Sequence, residues 1–96
     1  MKKFLLSQGY TDLVELPSGE LAGLFKFLFT TGLVVGLTKN GYRIRYCFEN
    51  NSDARQALRT WDGHGHPYGN WIKAKGNDEY GVRIDEVNYN FANGLI

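Results

Sequence analysis

The chain has 96 residues, enough for one domain that would expose about 5,600 Å² of surface folded against roughly 15,800 Å² unfolded. Hydrophobic residues at 43% and charged residues at 22% are ordinary globular values and exclude disorder, collagen and coiled coil. Eleven basic against ten acidic residues, net +1, exclude an acidic nucleic-acid mimic and argue against a uniformly basic nucleic-acid binder.

Met1-Lys2-Lys3 before Phe4-Leu5-Leu6 imitates a secretory leader, but the apolar run stops at Ser7-Gln8-Gly9, short of the roughly 7–15 residues required. Tyr10 to Leu16 reads as a strand that Pro17-Ser18-Gly19 breaks. Leu21, Leu24, Phe25 and Leu28 recur at helical spacing, so a helix is expected over 19–29, capped by Ser18 and ended by Gly32. Phe27 and Phe29 fall off that stripe and leave a strand as the alternative. The stretch Leu21 to Leu37 is too short for a bilayer and contains Lys26, so no membrane association is expected.

Leu33 to Thr38 and Tyr42 to Glu49 flank Lys39-Asn40-Gly41, a hairpin signal built on Asn-Gly in a type I′ turn. In the second strand Tyr42, Ile44, Tyr46 and Phe48 alternate with Arg43, Arg45, Cys47 and Glu49. One side is therefore expected to pack and the other to meet water or a partner. Asn50 to Asp53 supplies caps and an acid for a helix over 52–61. Its apolar stripe is Ala54, Ala57, Leu58 and Trp61, and Arg55, Gln56 and Arg59 point away. Trp71 to Lys75 reads as a strand with Trp71 and Lys73 on one side, and Gly76-Asn77-Asp78 as a turn. Tyr80 to Phe91 reads as extended, with a change of apolar phase between Ile84 and Val87 that suggests a bulge or two short strands. The expected fold is α+β, one domain over 1–96, with an antiparallel sheet around the 33–49 hairpin and one or two packed helices (19–29, 52–61).

The segment Trp61 to Trp71 holds both tryptophans and both histidines among alternating glycines. His64 and His66 are two apart, and Asp62 could add a carboxylate. No third histidine or second cysteine completes a zinc set, so no metal is expected. Cys47 with a histidine and Asp62 could be drawn as a catalytic triad, but no nucleophile motif surrounds Cys47, and no enzyme activity or cofactor is expected. The favoured role of the loop is structural, with the tryptophans anchoring its ends. Recognition is the second role. A single cysteine forms no internal disulfide and suits a reducing, cytoplasmic setting.

Charge is uneven: residues 39–75 carry seven basic and three acidic groups, and residues 76–96 one basic and four acidic. Arginine, tyrosine and tryptophan are interface-rich residue types. The candidate contact set is Arg43, Arg45, Arg55 and Arg59 with His64, His66 and Tyr68. This predicts a non-enzymatic binding protein that contacts a larger protein, with homodimerisation as a further use of excess aromatic surface. The alternative is single-stranded nucleic-acid binding by the same four arginines.

The stretch Phe29 to Gly76 resembles small uncharacterised proteins of bacterial genomes, phages and mobile elements. The resemblance rests on Thr30-Thr31-Gly32-Leu33-Val34-Val35-Gly36-Leu37, Gly41-Tyr42-Arg43, Tyr46-Cys47, Ala57-Leu58, Trp61-Asp62-Gly63, Pro67, Gly69 and Trp71-Ile72-Lys73. It covers about half the chain and brings no established activity. The size and plan also resemble anti-CRISPR and other anti-defence proteins, which implies stoichiometric blocking of a bacterial complex without chemistry.

Overall fold

A computed structural model describes residues 1–88. Six antiparallel strands lie in sequence order: β1 (Thr11–Glu15), β2 (Leu21–Lys26), β3 (Thr31–Val35), β4 (Ile44–Phe48), β5 (Lys73–Asn77) and β6 (Arg83–Val87). Helix α1 (Lys2–Ser7) precedes the sheet, and α2 (Asn51–Thr60) connects β4 to β5. This is the expected α+β plan, with the β3–β4 pair at the centre of the sheet. No helix among the described residues is long and apolar enough to cross a membrane.

Helix α2 forms where its pattern predicts. Asn50 accepts the Asp53 amide at 2.8 Å, which satisfies an otherwise orphaned N-terminal donor. Ala54, Ala57 and Leu58 are buried, and the helix packs across β2, β3 and β4. Beneath it lie Ala22 and Leu24, Leu33 and Val35, then Ile44, Tyr46 and Phe48. On the opposite face of the sheet, Leu5 of α1 packs with Val34 and Leu37, flanked by Tyr10, Leu13, Leu21 and Tyr42.

The helix expected over 19–29 is a strand instead. With α2 on one face and α1 on the other, β2 is buried on both sides, and a strand so placed reads as a continuous apolar run. The helical spacing of its leucines is a by-product of that run. Gly23 confirms the sheet geometry: a side chain there would lie 2.8 Å from Leu13 and 2.9 Å from the Thr11 carbonyl. Gly32 ends no helix. It lies within β3, and the Phe27 ring occupies the space a side chain would take. Ser18 caps nothing; its hydroxyl is buried without a hydrogen-bond partner among the described residues.

The central hairpin is shorter than expected. β3 stops at Val35, because the chain bends at Gly36 (φ 77°) and sends Leu37 into the α1 cluster. At the tip Thr38 bridges Gly41, with Lys39 and Asn40 at the corner. The positive φ falls on Gly41 and not on Asn40, so the type I′ turn is absent. Trp71 and Lys73 do not share a face: Trp71 is buried in the core and Lys73 is exposed. Gly76 and Asn77 belong to β5, and the turn runs from Asp78 to Val82. β6 pairs with β5 in unbroken register from Arg83 to Val87, without the expected bulge. Residues 89–91 of that predicted strand lie outside the described residues. The irregularity sits in β1, between Thr11 and Val14, where Asp12 takes φ 52°.

Phe48 is fully buried at the β4 end beneath α2. Phe48→Ala is expected to lower unfolding stability by about 3–5 kcal/mol, read as a lower urea midpoint with the slope unchanged.

Candidate functional site

The seven sequence-predicted contact residues occupy separate places. Arg43 donates Nε and Nη2 to the two carboxylate oxygens of Glu20 at 2.9 and 2.8 Å, and Nη1 to the Asn77 carbonyl at 2.7 Å. This bidentate, half-buried pair joins the start of β2 to β4 and the end of β5, and its donors are committed internally. Arg45 lies over the Phe27 ring, 5.2 Å from its centroid, and donates to the Tyr42 hydroxyl at 3.2 Å. Arg55 reaches Asp12 on β1 at 3.2 Å. Arg59 bonds Gln56 within its own helix. Tyr68 is 90% exposed. The four arginines therefore do not make one face.

The histidines build a clasp. The Trp61 indole donates to the His64 carbonyl at 3.0 Å, and Asp62 accepts the His64 amide at 2.9 Å, which shapes the loop. His64 Nδ1 then meets Glu79 at 2.7 Å, and the second oxygen of Glu79 accepts the Gly65 amide at 3.1 Å. His66 lies between Tyr46 and β6: its Nδ1 is 2.9 Å from the Tyr46 hydroxyl and its Nε2 3.0 Å from Glu86. Burial pushes the Tyr46 phenol well above its ordinary value, so it stays neutral and donates. One tautomer satisfies both bonds, with Nδ1 accepting from Tyr46 and Nε2–H donating to Glu86. Edge-on contacts of Tyr46 with Trp61 at 5.5 Å and Trp71 at 5.6 Å complete an aromatic wall.

Trp61 and Trp71 are buried at the ends of the loop, the anchoring expected of them. Each histidine has its own carboxylate, and no group of three or more His, Cys, Asp or Glu suited to a metal occurs among the described residues. Cys47 alternates with Tyr46 on β4 and pairs across to Lys73 and Gly32. The sheet thus lies between its thiol and the histidines, and the imagined triad is not assembled.

A groove elsewhere combines apolar surface with two of the predicted arginines. A six-stranded sheet is about 24 Å across, whereas one helix covers about 10 Å. Helix α2 lies over β2 to β4, and the Trp61–Trp71 loop extends the cover toward β6. The same side of β1 is only partly covered: Leu16 is buried and Arg55 reaches Asp12, but Val14 is exposed. A groove of about 600 Å³ runs there between β1 and α2, with Val14, Leu16, Leu58 and Trp61 in its walls and Arg55 and Arg59 along the helix rim. Val14 pairs with Ala22 and so faces the α2 side, yet it is 39% exposed. Sequence reasoning reached Arg55 and Arg59 but not Val14, because which strand lies at the edge is a property of strand order. The alternation of Val14 and Leu16 was the available signal.

The clasp has a pH signature. Its hydrogen bond to Glu79 raises the His64 pKa above 6.5, and the same bond lowers that of Glu79 below 4.5. The His64 contribution is complete below pH 6.5 and lost as pH rises through its raised value. The Glu79 contribution is complete above pH 4.5 and lost as pH falls through its lowered value. The melting-temperature advantage of the wild type over Glu79→Gln is therefore expected to be largest between pH 4.5 and 6.5. It should shrink as the pH rises above 6.5 through the raised value of His64, as a series of thermal melts would show.

No protein-family model, curated protein or solved structure gives a significant match to this chain.

Proposed function

We propose that the chain is a non-enzymatic binding protein acting through protein–protein contacts, with the groove between β1 and α2 as its contact site. The observation that carries this reading is the α2-facing side of β1, where Val14 is left 39% exposed in a groove walled by Leu16, Leu58 and Trp61. Burying such a strip against a partner is favourable at about 25 cal/mol per Å². Arg59 on the helix rim and Glu15 on the strand rim, beside the Arg55–Asp12 pair, supply opposed charges that would orient the partner. The partner in this reading is a larger bacterial protein or complex. Inhibition of a bacterial defence complex is the role in this class that the sequence resemblance implies.

The test is a quantitative pull-down from bacterial lysate with the wild type, Val14→Asp and Leu28→Asp, the last at an exposed site outside the groove. A partner held by the wild type and Leu28→Asp, but recovered about tenfold less by Val14→Asp, supports the groove. Equal recovery by Val14→Asp, with its fold verified by circular dichroism, overturns it, as does the lack of any specific partner.

A further inference from the structure

The face of the sheet turned away from α2 divides into two halves. Over β1 to β3 it is covered by Leu5 of α1 and its apolar neighbours. Over β4 to β6 its paired positions are Arg45 and Cys47, Lys75 and Lys73, and Arg83, Asp85 and Val87. Arg45 lies directly across from Lys75, and Cys47 across from Lys73. Like charges directly opposite on one face are destabilising, and Lys73 adds a third cation one diagonal away. Asp85 is the one carboxylate at these positions and reaches Lys73 at 3.4 Å. Among the described residues Lys75 and Arg83 have no ion-pair partner. Beside this cluster the Phe27 ring lies over Gly32, in contact with the Arg45 guanidinium.

From this juxtaposition we infer that the β4–β6 half of the sheet face, with Arg45, Lys73, Lys75 and Phe27, is a binding site for single-stranded nucleic acid. It goes beyond the protein-contact reading and uses the opposite side of the sheet. An anionic ligand would relieve the repulsion between Arg45 and Lys75, against which these positions set one carboxylate, Asp85, which lies opposite Lys75 on β6 and is shared with Lys73. A phosphate backbone running across β4 and β5 would meet Arg45, Lys75 and Lys73 at successive strand and diagonal spacings. Phe27 is half-buried, its ring set over Gly32 with Phe25 at 5.1 Å and the Arg45 guanidinium over it, so a base would stack on this ring–guanidinium pair at the edge of the cation cluster. Cations beside a stacking ring are the chemistry of single-strand recognition, and acidic peptides or inorganic anions would leave the ring unused. The site differs from the one expected from sequence: it includes Arg45, but Arg43, Arg55 and Arg59 take no part.

Fluorescence anisotropy with labelled dT15 and rU15 tests this on the full chain. Binding at 50 mM salt is expected, with log affinity falling against log salt at a slope of about −2 for three engaged cations. Lys73→Glu/Lys75→Glu should abolish binding, and Lys73→Gln/Lys75→Gln should weaken it while sparing the fold. Phe27→Leu should weaken it about tenfold without changing the salt slope. Val14→Asp in the groove should bind oligonucleotide normally, which separates this result from the protein-contact test. The inference is overturned if neither oligonucleotide binds at 50 mM salt, or if the Gln double variant and Phe27→Leu both bind like the wild type. Competition by inorganic polyphosphate as strong as that by unlabelled dT15 overturns it as well, since the ring would then contribute nothing.

Discussion

The fold is held at Tyr46. Its ring is buried in the middle of the sheet, and three groups from the long β4–β5 connection pack on it: Trp61, Trp71 and His66. Its hydroxyl is a buried polar point on this wall, and His66 satisfies it at 2.9 Å. A buried phenol without a partner would cost on the order of 1–3 kcal/mol. The loop is thus anchored by apolar contact and oriented by hydrogen bonds, among them Tyr46 to His66, Trp61 to the His64 carbonyl and the Gly65 amide to Glu79. Everything on the α2 side of β4 to β6 follows from this, including the His66–Glu86 contact and the position from which His64 reaches Glu79.

That anchoring also explains where the molecule is left open. The Trp61–Trp71 loop substitutes for a second helix over β4 to β6, so no element remains for β1. On the reverse face the short helix α1 covers the β1–β3 side and leaves β4 to β6 to charged residues. The two uncovered areas lie at opposite ends of the sheet and on opposite faces. One is apolar with mixed charges at its rim, and the other is cationic with one aromatic ring. Surfaces so unlike in chemistry can take different ligands without competing.

What was legible in the sequence follows from how each element is buried. Helix α2 has one buried face and a capping asparagine, so its period and its start are both visible. β4 has one apolar face, and its alternation from Ile44 to Phe48 predicts both strand and orientation. β2 is sandwiched, and two-sided burial removes the alternation that separates strand from helix. Helix α1, six residues long, is too short for a period to show. The contact residues were harder still. Arg43 and Arg45 sit two apart on one predicted face, but the bend at Gly36 and the demand of Glu20 draw Arg43 away, a long-range effect that local spacing does not encode.

The strand order carries a kinetic consequence. Because each strand lies beside its predecessor, most pairings close short loops, and only the β4–β5 step must wait for a helix and a loop to form between them. Chains dominated by such near-neighbour pairings have low contact order and collapse quickly. The first four strands could therefore assemble on the ribosome as successive hairpins while β5 and β6 are still in the exit tunnel.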